Sequence, residues 1–230
     1  DLEGENISLG NWSTAYGGQA LAVGNHAEAT AKSSMALGIG SRAYGVESLS
    51  IGSDSTSSGN NSLAIGSDST SSGNNSLAIG SDSTASGVDA QAIGNSATAS
   101  GESSLAIGSH ASSSDKQSFA VGYKAQATKA DTVALGTQAK AQADRALSFG
   151  YNSSATKNDA IAMGSNAKSQ GMSSLAFGTN ATSADDNSVA LGSNSLTAAA
   201  VGTQDITIDG KTYAFAGTAP LSTVSIGKKD

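Results

Sequence analysis

Small and large residues alternate along this chain in a five-residue unit that returns every 14 positions. In Ser62-Leu63-Ala64-Ile65-Gly66 and Ser76-Leu77-Ala78-Ile79-Gly80 the order is small, large, small, large, glycine. The closing glycine recurs without a slip from Gly10 to Gly192. The residue before it is apolar in every turn, from Leu9, Val23 and Leu37 to Phe177 and Leu191. Two positions before it stands Ala, replaced by Ser only at Ser8, Ser50 and Ser148. Three positions before it the residue is again large and apolar, with Gln91 the single exception. Alternation with a period of two predicts a short strand that ends at the glycine.

A weaker alternation follows each glycine. Small residues recur three and five positions on, as at Ala27 and Ala29, Ser55 and Ser57, and Ala125 and Ala127, with polar, variable residues between them. This predicts a second strand with one small-residue face buried and the other in water. Seven positions after the main glycine a second corner is marked by Gly17, Gly45, Gly59, Gly73, Gly87, Gly101 and Gly171. Each turn thus reads strand, corner, strand, corner. Stacked turns pair every strand in parallel with its equivalent, about 4.8 Å away, so 14 turns make a rod about 67 Å tall. The segment from Ser53 to Gly66 repeats letter for letter from Ser67 to Gly80, as duplication of whole turns in a solenoid would produce.

The first strand is restricted on both faces, because its large residues want burial and its other face is held to Ala or Ser. One face lines the coil and the other presses on a further surface; the sequence leaves open which is which. An apolar stripe of this length exposed to water would aggregate. The expectation is an obligate homo-oligomer with the first strands facing the symmetry axis.

Composition narrows the function. The net charge is −7 and charged residues make up 13% of the chain, which argues against nucleic acid as a partner. There is no cysteine, so disulfides and thiolate metal sites are excluded. This suits a chain that crosses an envelope through a narrow pore as well as it suits chance. No signal peptide opens the sequence and no apolar run approaches the roughly 20 residues of a membrane helix. If the protein is exported, these 230 residues are a piece of a longer one.

Candidate chemistry is sparse. His26 and His110 each lie two positions after a repeat glycine, six turns apart, too far to share a metal. Asp54, Asp68 and Asp82 stack at one position of successive turns and read as a solvated ladder; Asp185-Asp186 is a corner pair too short for a calcium loop. Gly38-Ile39-Gly40 is a corner of the repeat and no phosphate loop. No serine sits in a nucleophile elbow with a partnered histidine. The reading is a protein with no catalytic site, no metal and no cofactor. Tyr123, Lys124, Arg145 and Tyr151 break the Ser/Asp monotony of the outward positions and are the candidate ligand-binding residues.

The pentapeptides at 62–66, 76–80 and 104–108, with Ser-Val-Ala-Leu-Gly at 188–192, resemble the head repeats of trimeric autotransporter adhesins of the YadA type. The resemblance covers about residues 6–195. It implies an all-β fold, a left-handed parallel β-roll that forms a homotrimer on the surface of a Gram-negative bacterium. Such heads stand on stalks above a C-terminal outer-membrane anchor, a region absent from this chain. The family's partners are extracellular-matrix proteins such as collagen, fibronectin and laminin, host cells, and other heads in autoaggregation and biofilm.

Residues 1–195 are therefore assigned to the head β-roll and 196–230 to a connector leading to a neck or stalk. Within the connector, Ile206-Thr207-Ile208, an Asp209-Gly210 turn and Lys211 to Phe215 predict a β-hairpin. The connector is expected to cap the lower end of the roll, where open strand edges invite pairing, and Trp12 to cap the other end. Alternatives are a phage tail-fibre segment built from the same repeat, and a left-handed β-helix acyltransferase, whose coils count in sixes. An ice-binding solenoid would need a longer threonine ladder than Thr56, Thr70, Thr84 and Thr98 provide.

Overall fold

The computed structural model describes residues 4–227. Each repeat contributes a three-residue strand and a two-residue strand. The first kind are the odd-numbered strands from β1 (Ile7–Leu9) to β27 (Val189–Leu191). The second are the even-numbered strands from β2 (Thr14–Ala15) to β26 (Thr182–Ser183). They stack into two parallel sheets, one of 15 strands and one of 13. The register advances by one repeat per rung: Leu63 pairs Leu77, Ala64 pairs Ala78 and Ile65 pairs Ile79. The all-β, 14-residue solenoid expected from the pattern is the fold observed.

The structure decides which face of the first strand looks inward. Ala64, Ala78, Ala92 and Ala106 are completely buried, while the flanking Leu63, Ile65, Leu77 and Ile79 are half-buried on the outside. The small residues three and five positions after the glycine, such as Ala97 and Ala99, point at them from the second sheet. Among the described residues, every fully buried apolar side chain is alanine, and the largest fully buried side chain of any kind is Thr132. The two sheets are so close that nothing bulkier fits between them. Close packing without voids then needs no large side chain inside.

Serine shares this interior with alanine, and most of its buried hydroxyls find a partner. A hydroxyl three positions after the glycine satisfies itself by donating back to that glycine's carbonyl, as Ser55 does to Gly52 at 3.0 Å and Ser83 to Gly80 at 2.8 Å. Serines four positions before the glycine do the same at the other corner, as Ser76 does to Gly73 at 2.6 Å. At the two remaining interior positions the hydroxyl instead looks to a second hydroxyl five residues on. Ser50 meets Ser55 at 2.7 Å, Ser148 meets Ser153 at 2.7 Å and Ser71 meets Ser76 at 2.6 Å. Each of Ser8, Ser50 and Ser148, the three serines that replace the inward alanine, has its partner serine in place. Buried hydroxyls without partners are costly, and the sequence avoids most of them. Only the Oγ atoms of Ser48, Ser104 and Ser113 lack a partner among the described residues.

The corners have their own requirements. At Gly66 φ is +135°, and a Cβ there would lie 2.5 Å from the carbonyl oxygen of Gly80 in the next rung. Only glycine lets the coil turn this tightly under its neighbour. Two further positions per turn take the left-handed conformation without being glycine. They are the second residue after the glycine (Asp54, φ 53°; Lys124, φ 55°) and the fifth before it (Asn61, φ 54°; Arg145, φ 57°). Asn, Asp and His are several-fold enriched there because they tolerate this region best.

The outward large residues of the first sheet form an apolar stripe along the whole rod. Exposure reaches 53% at Ile7, 39% at Phe119 and 46% at Phe177. Among the described residues nothing covers it.

The predicted hairpin is present as β28 (Asp205–Ile208) and β29 (Lys211–Ala214), with register Ile206 to Tyr213 and an Asp209-Gly210 turn at φ 49° and 75°. These paired strands form a separate sheet of their own. The edge of the roll is instead covered by β30 (Val224–Ile226), which pairs in parallel with β27 as the fifteenth rung of the first sheet. Among the described residues Trp12 does not close the upper end: it lies on an outer corner, 69% exposed, with its ring 4.9 Å from that of His26 one rung on.

The pairing rule makes a quantitative prediction. Ser55→Ala strips Ser50 of its partner in a dry interior and should cost about 1–3 kcal/mol. Ser50→Ala should be nearly neutral, because Ser55 keeps its own bond to Gly52. The double substitution restores the arrangement of Ala22 and Ala27 and should also be nearly neutral. Denaturant unfolding of the three variants checks this; equal losses for both single changes would contradict it.

Candidate binding surface

With the first sheet committed to an apolar stripe, the polar surface comprises the outer face of the second sheet and the two rows of corners. The second-sheet face is read from residues one, two, four and six positions after each glycine. At its N-terminal end Tyr44 donates its hydroxyl proton to the Glu28 carboxylate of the neighbouring rung. Burial first, and then the bond to Glu28 and its charge, push Tyr44 up to about 12.

The three aspartates Asp54, Asp68 and Asp82 occupy left-handed corners, and each accepts a bond from the preceding serine, at 3.2, 3.0 and 3.2 Å. Backbone geometry accounts for their residue type. Among the described residues no group of three or more His, Cys, Asp or Glu side chains could hold a metal ion. His26 stacks on Trp12, and His110 meets the edge of Tyr123 with ring centroids 6.3 Å apart.

Of the four candidate residues, the fold gathers three and separates one. Tyr123, Lys124 and Tyr151 share the corner row beside the second sheet, with both tyrosines exposed and two rungs apart, about 9.6 Å along the rod. The Lys124 ammonium lies 5.1 Å from the centre of the Tyr123 ring. Arg145 is on the other corner row, where it forms a bidentate ion pair with Asp159 of the next rung at 2.7 and 2.8 Å. That guanidinium holds the Asp159 carboxyl below its ordinary value.

In place of Arg145 the structure sets beside Lys124 four residues outside those candidates. Lys124, Gln126, Gln138, Lys140 and Asn152 line a shallow groove of about 240 Å³ on the second-sheet face. The signal for Lys140 and for Lys168 beyond it lay in the offset of four from the glycine, which places them in line. Charge along the rod is also segregated. Residues 43–115 hold seven acidic residues and no Lys or Arg, whereas 116–168 hold seven Lys or Arg and three acidic residues. Those three, Asp131, Asp144 and Asp159, lie on the far corner row with Arg145. The second-sheet face from Lys124 to Lys168 therefore carries cations alone.

A solenoid of 14-residue turns, with one apolar face and one polar face, defines the class: a repetitive β-roll head. The model of the YadA head domain repeat (2 copies) matches residues 7–27, 29–55, 57–83, 85–111, 99–125, 113–139, 127–153, 141–167 and 169–195. The chain belongs to this family. Two solved structures are similar to it. The C-terminal YadA-like domain of a Burkholderia pseudomallei protein is 40% identical over 32% of this chain, which covers 33% of that chain, with a TM-score of 0.25. The collagen-binding domain of the Yersinia adhesin YadA is 24% identical over 76% of this chain and 81% of that chain, with a TM-score of 0.35. No curated protein matches the chain. Membership rests on the repeat and not on these superpositions.

Tyr44 offers a pH test of the surface geometry. Its raised value means that folding disfavours the phenolate, so the contribution is fully present below pH 10.0 and is lost as the pH rises towards about 12. Ultraviolet titration should resolve one tyrosine near that upper value, and Glu28→Gln should bring it down. An unchanged titration in the variant would contradict the assignment.

Proposed function

We propose that this chain is the head of a trimeric bacterial surface adhesin that attaches to extracellular-matrix protein, collagen foremost. The observation that carries the reading is the uncovered apolar stripe along a rod of YadA head repeats. Three copies with their first sheets turned to a common axis bury that stripe and leave three second-sheet faces outward. The likeness to the collagen-binding domain of YadA suggests the first ligand to try. Residues 1–195 form the head and 196–230 the connector in this proposal, with β30 returning to the head sheet. The whole would be displayed from the outer membrane by a further C-terminal region.

The surface suits weak, repeated contacts. Its rungs present similar groups at even spacing, so an extended partner meets the same contact many times and avidity supplies the affinity. Tyr123, Lys124 and Tyr151 are the proposed contact residues of the varied part, with Arg145 at its far edge. The role requires no catalytic step. Attachment to other heads, and so autoaggregation and biofilm, belongs to the same reading.

The test is direct. Purified head should coat collagen, fibronectin or laminin surfaces and epithelial cells in a saturable manner. Tyr123→Ala with Tyr151→Ala should lower coating several-fold at unchanged β content. Failure to bind any of these surfaces would remove the basis of the adhesion reading.

A further inference from the structure

We propose that the outer face of the second sheet between Lys124 and Lys168 binds a linear sulfated polysaccharide, laid along the rod axis. The site shares Tyr123, Lys124 and Tyr151 with the proposed matrix contact, and the proposal does not depend on which matrix protein the head attaches. The starting observation is charge placement. In a chain of net charge −7, seven of the 12 Lys and Arg residues fall within 116–168, and Lys124, Lys140 and Lys168 line one face. Among the described residues the only ion pair is Arg145 with Asp159, on the other corner row, so these lysines are free of carboxylate partners.

Geometry adds four further points. Lys124 and Lys140 stand on consecutive rungs and frame the groove with Gln126, Gln138 and Asn152, whose amides can bond sugar hydroxyls. Lys168 continues the row two rungs on, so the cations span about 14 Å along the axis. Tyr123 and Tyr151 flank the row with 45% and 56% exposure and offer flat apolar faces to pyranose rings. The backbone beneath is a continuous parallel ladder, as in Gln126 to Lys140 and Ser154 to Lys168, so the row is preorganised for a straight ligand.

The chemistry favours sulfated sugar over other polyanions. Sulfate esters keep their charge throughout the accessible pH range and can place more than one charge on a disaccharide, which suits lysines on adjacent rungs. Duplex DNA carries a negative charge every ~1.7 Å, and its length would run over the acidic turns bearing Asp54, Asp68 and Asp82. Uncharged glycans would leave the lysines unused. In the proposed trimer the face occurs three times, which raises the avidity for a long chain.

The test uses the purified head and a heparin-derived oligosaccharide at about 50 mM salt, where exposed charge pairs are least screened. The sulfated chain should bind, and its chemically desulfated form should bind at least about tenfold more weakly. The triple variant Lys124→Glu, Lys140→Glu, Lys168→Glu should lose at least about tenfold, with β content and particle mass unchanged. The equally charged control Lys32→Glu, Lys116→Glu, Lys211→Glu should stay within about twofold. Binding retained by the first variant, equal binding of a DNA duplex or the desulfated chain, or no binding at low salt would each overturn the proposal. So would lysine-dependent association of head with head in place of glycan. Each of these results leaves the matrix-protein coating assay standing on its own.

Discussion

The narrowness of the coil governs the rest of this structure. The two sheets approach until only Ala, Ser and an occasional Thr fit between them. All bulk must then go outside, and the outward face of the first sheet receives it. A globular domain gathers its large apolar residues in its own centre; here the centre has no room for them. The hydrophobic driving force is consequently placed where only another molecule can complete it. Folding within the chain and association between chains become parts of one design.

An interior this small needs hydrogen bonding as much as apolar contact. Backbone ladders run the length of both sheets, and serine hydroxyls are satisfied by the nearest corner carbonyl or by one another. Replacing a pair of hydroxyls by two alanines changes little in shape, and the dependence runs one way: the inward Ser50 has Ser55 five residues on, whereas Ser83 stands opposite Ala78 and bonds only the Gly80 carbonyl. Ser50 with Ser55 and Ala22 with Ala27 are two solutions to the same local problem. The backbone is thereby held in a regular lattice whatever the outer residues are. The second-sheet face is free to vary, and it carries the Asp-rich turns, the lysine row and the tyrosines on a common frame.

Much of this was legible in the sequence. The strict period gave the stacked turns, and the Asp209-Gly210 signal gave the hairpin, because both depend on local rules. The inward choice of the Ala/Ser face was not legible, since alternation alone treats the two faces of a strand alike. Two corner rows also read alike: Lys124 and Arg145 are both polar departures in left-handed positions, yet they lie on opposite edges of the second sheet. The aspartate series reads as a solvated ladder from the sequence, and the positive φ of its corners supplies the reason for its residue type. The last rung read only as part of the connector expected to cap the roll, for a different reason. Thr223-Val224-Ser225-Ile226-Gly227 has the small-large-small-large-glycine form, but its glycine falls out of phase with Gly192, after the hairpin has interrupted the count.

The central claim is that the large residues of the first sheet are complete only in an assembly. The mass of the purified chain in solution, measured by light scattering at micromolar concentration, tests it most directly. The account predicts a particle of three chains. A stable, well-folded single chain with its leucine, isoleucine and phenylalanine stripe in water would contradict it.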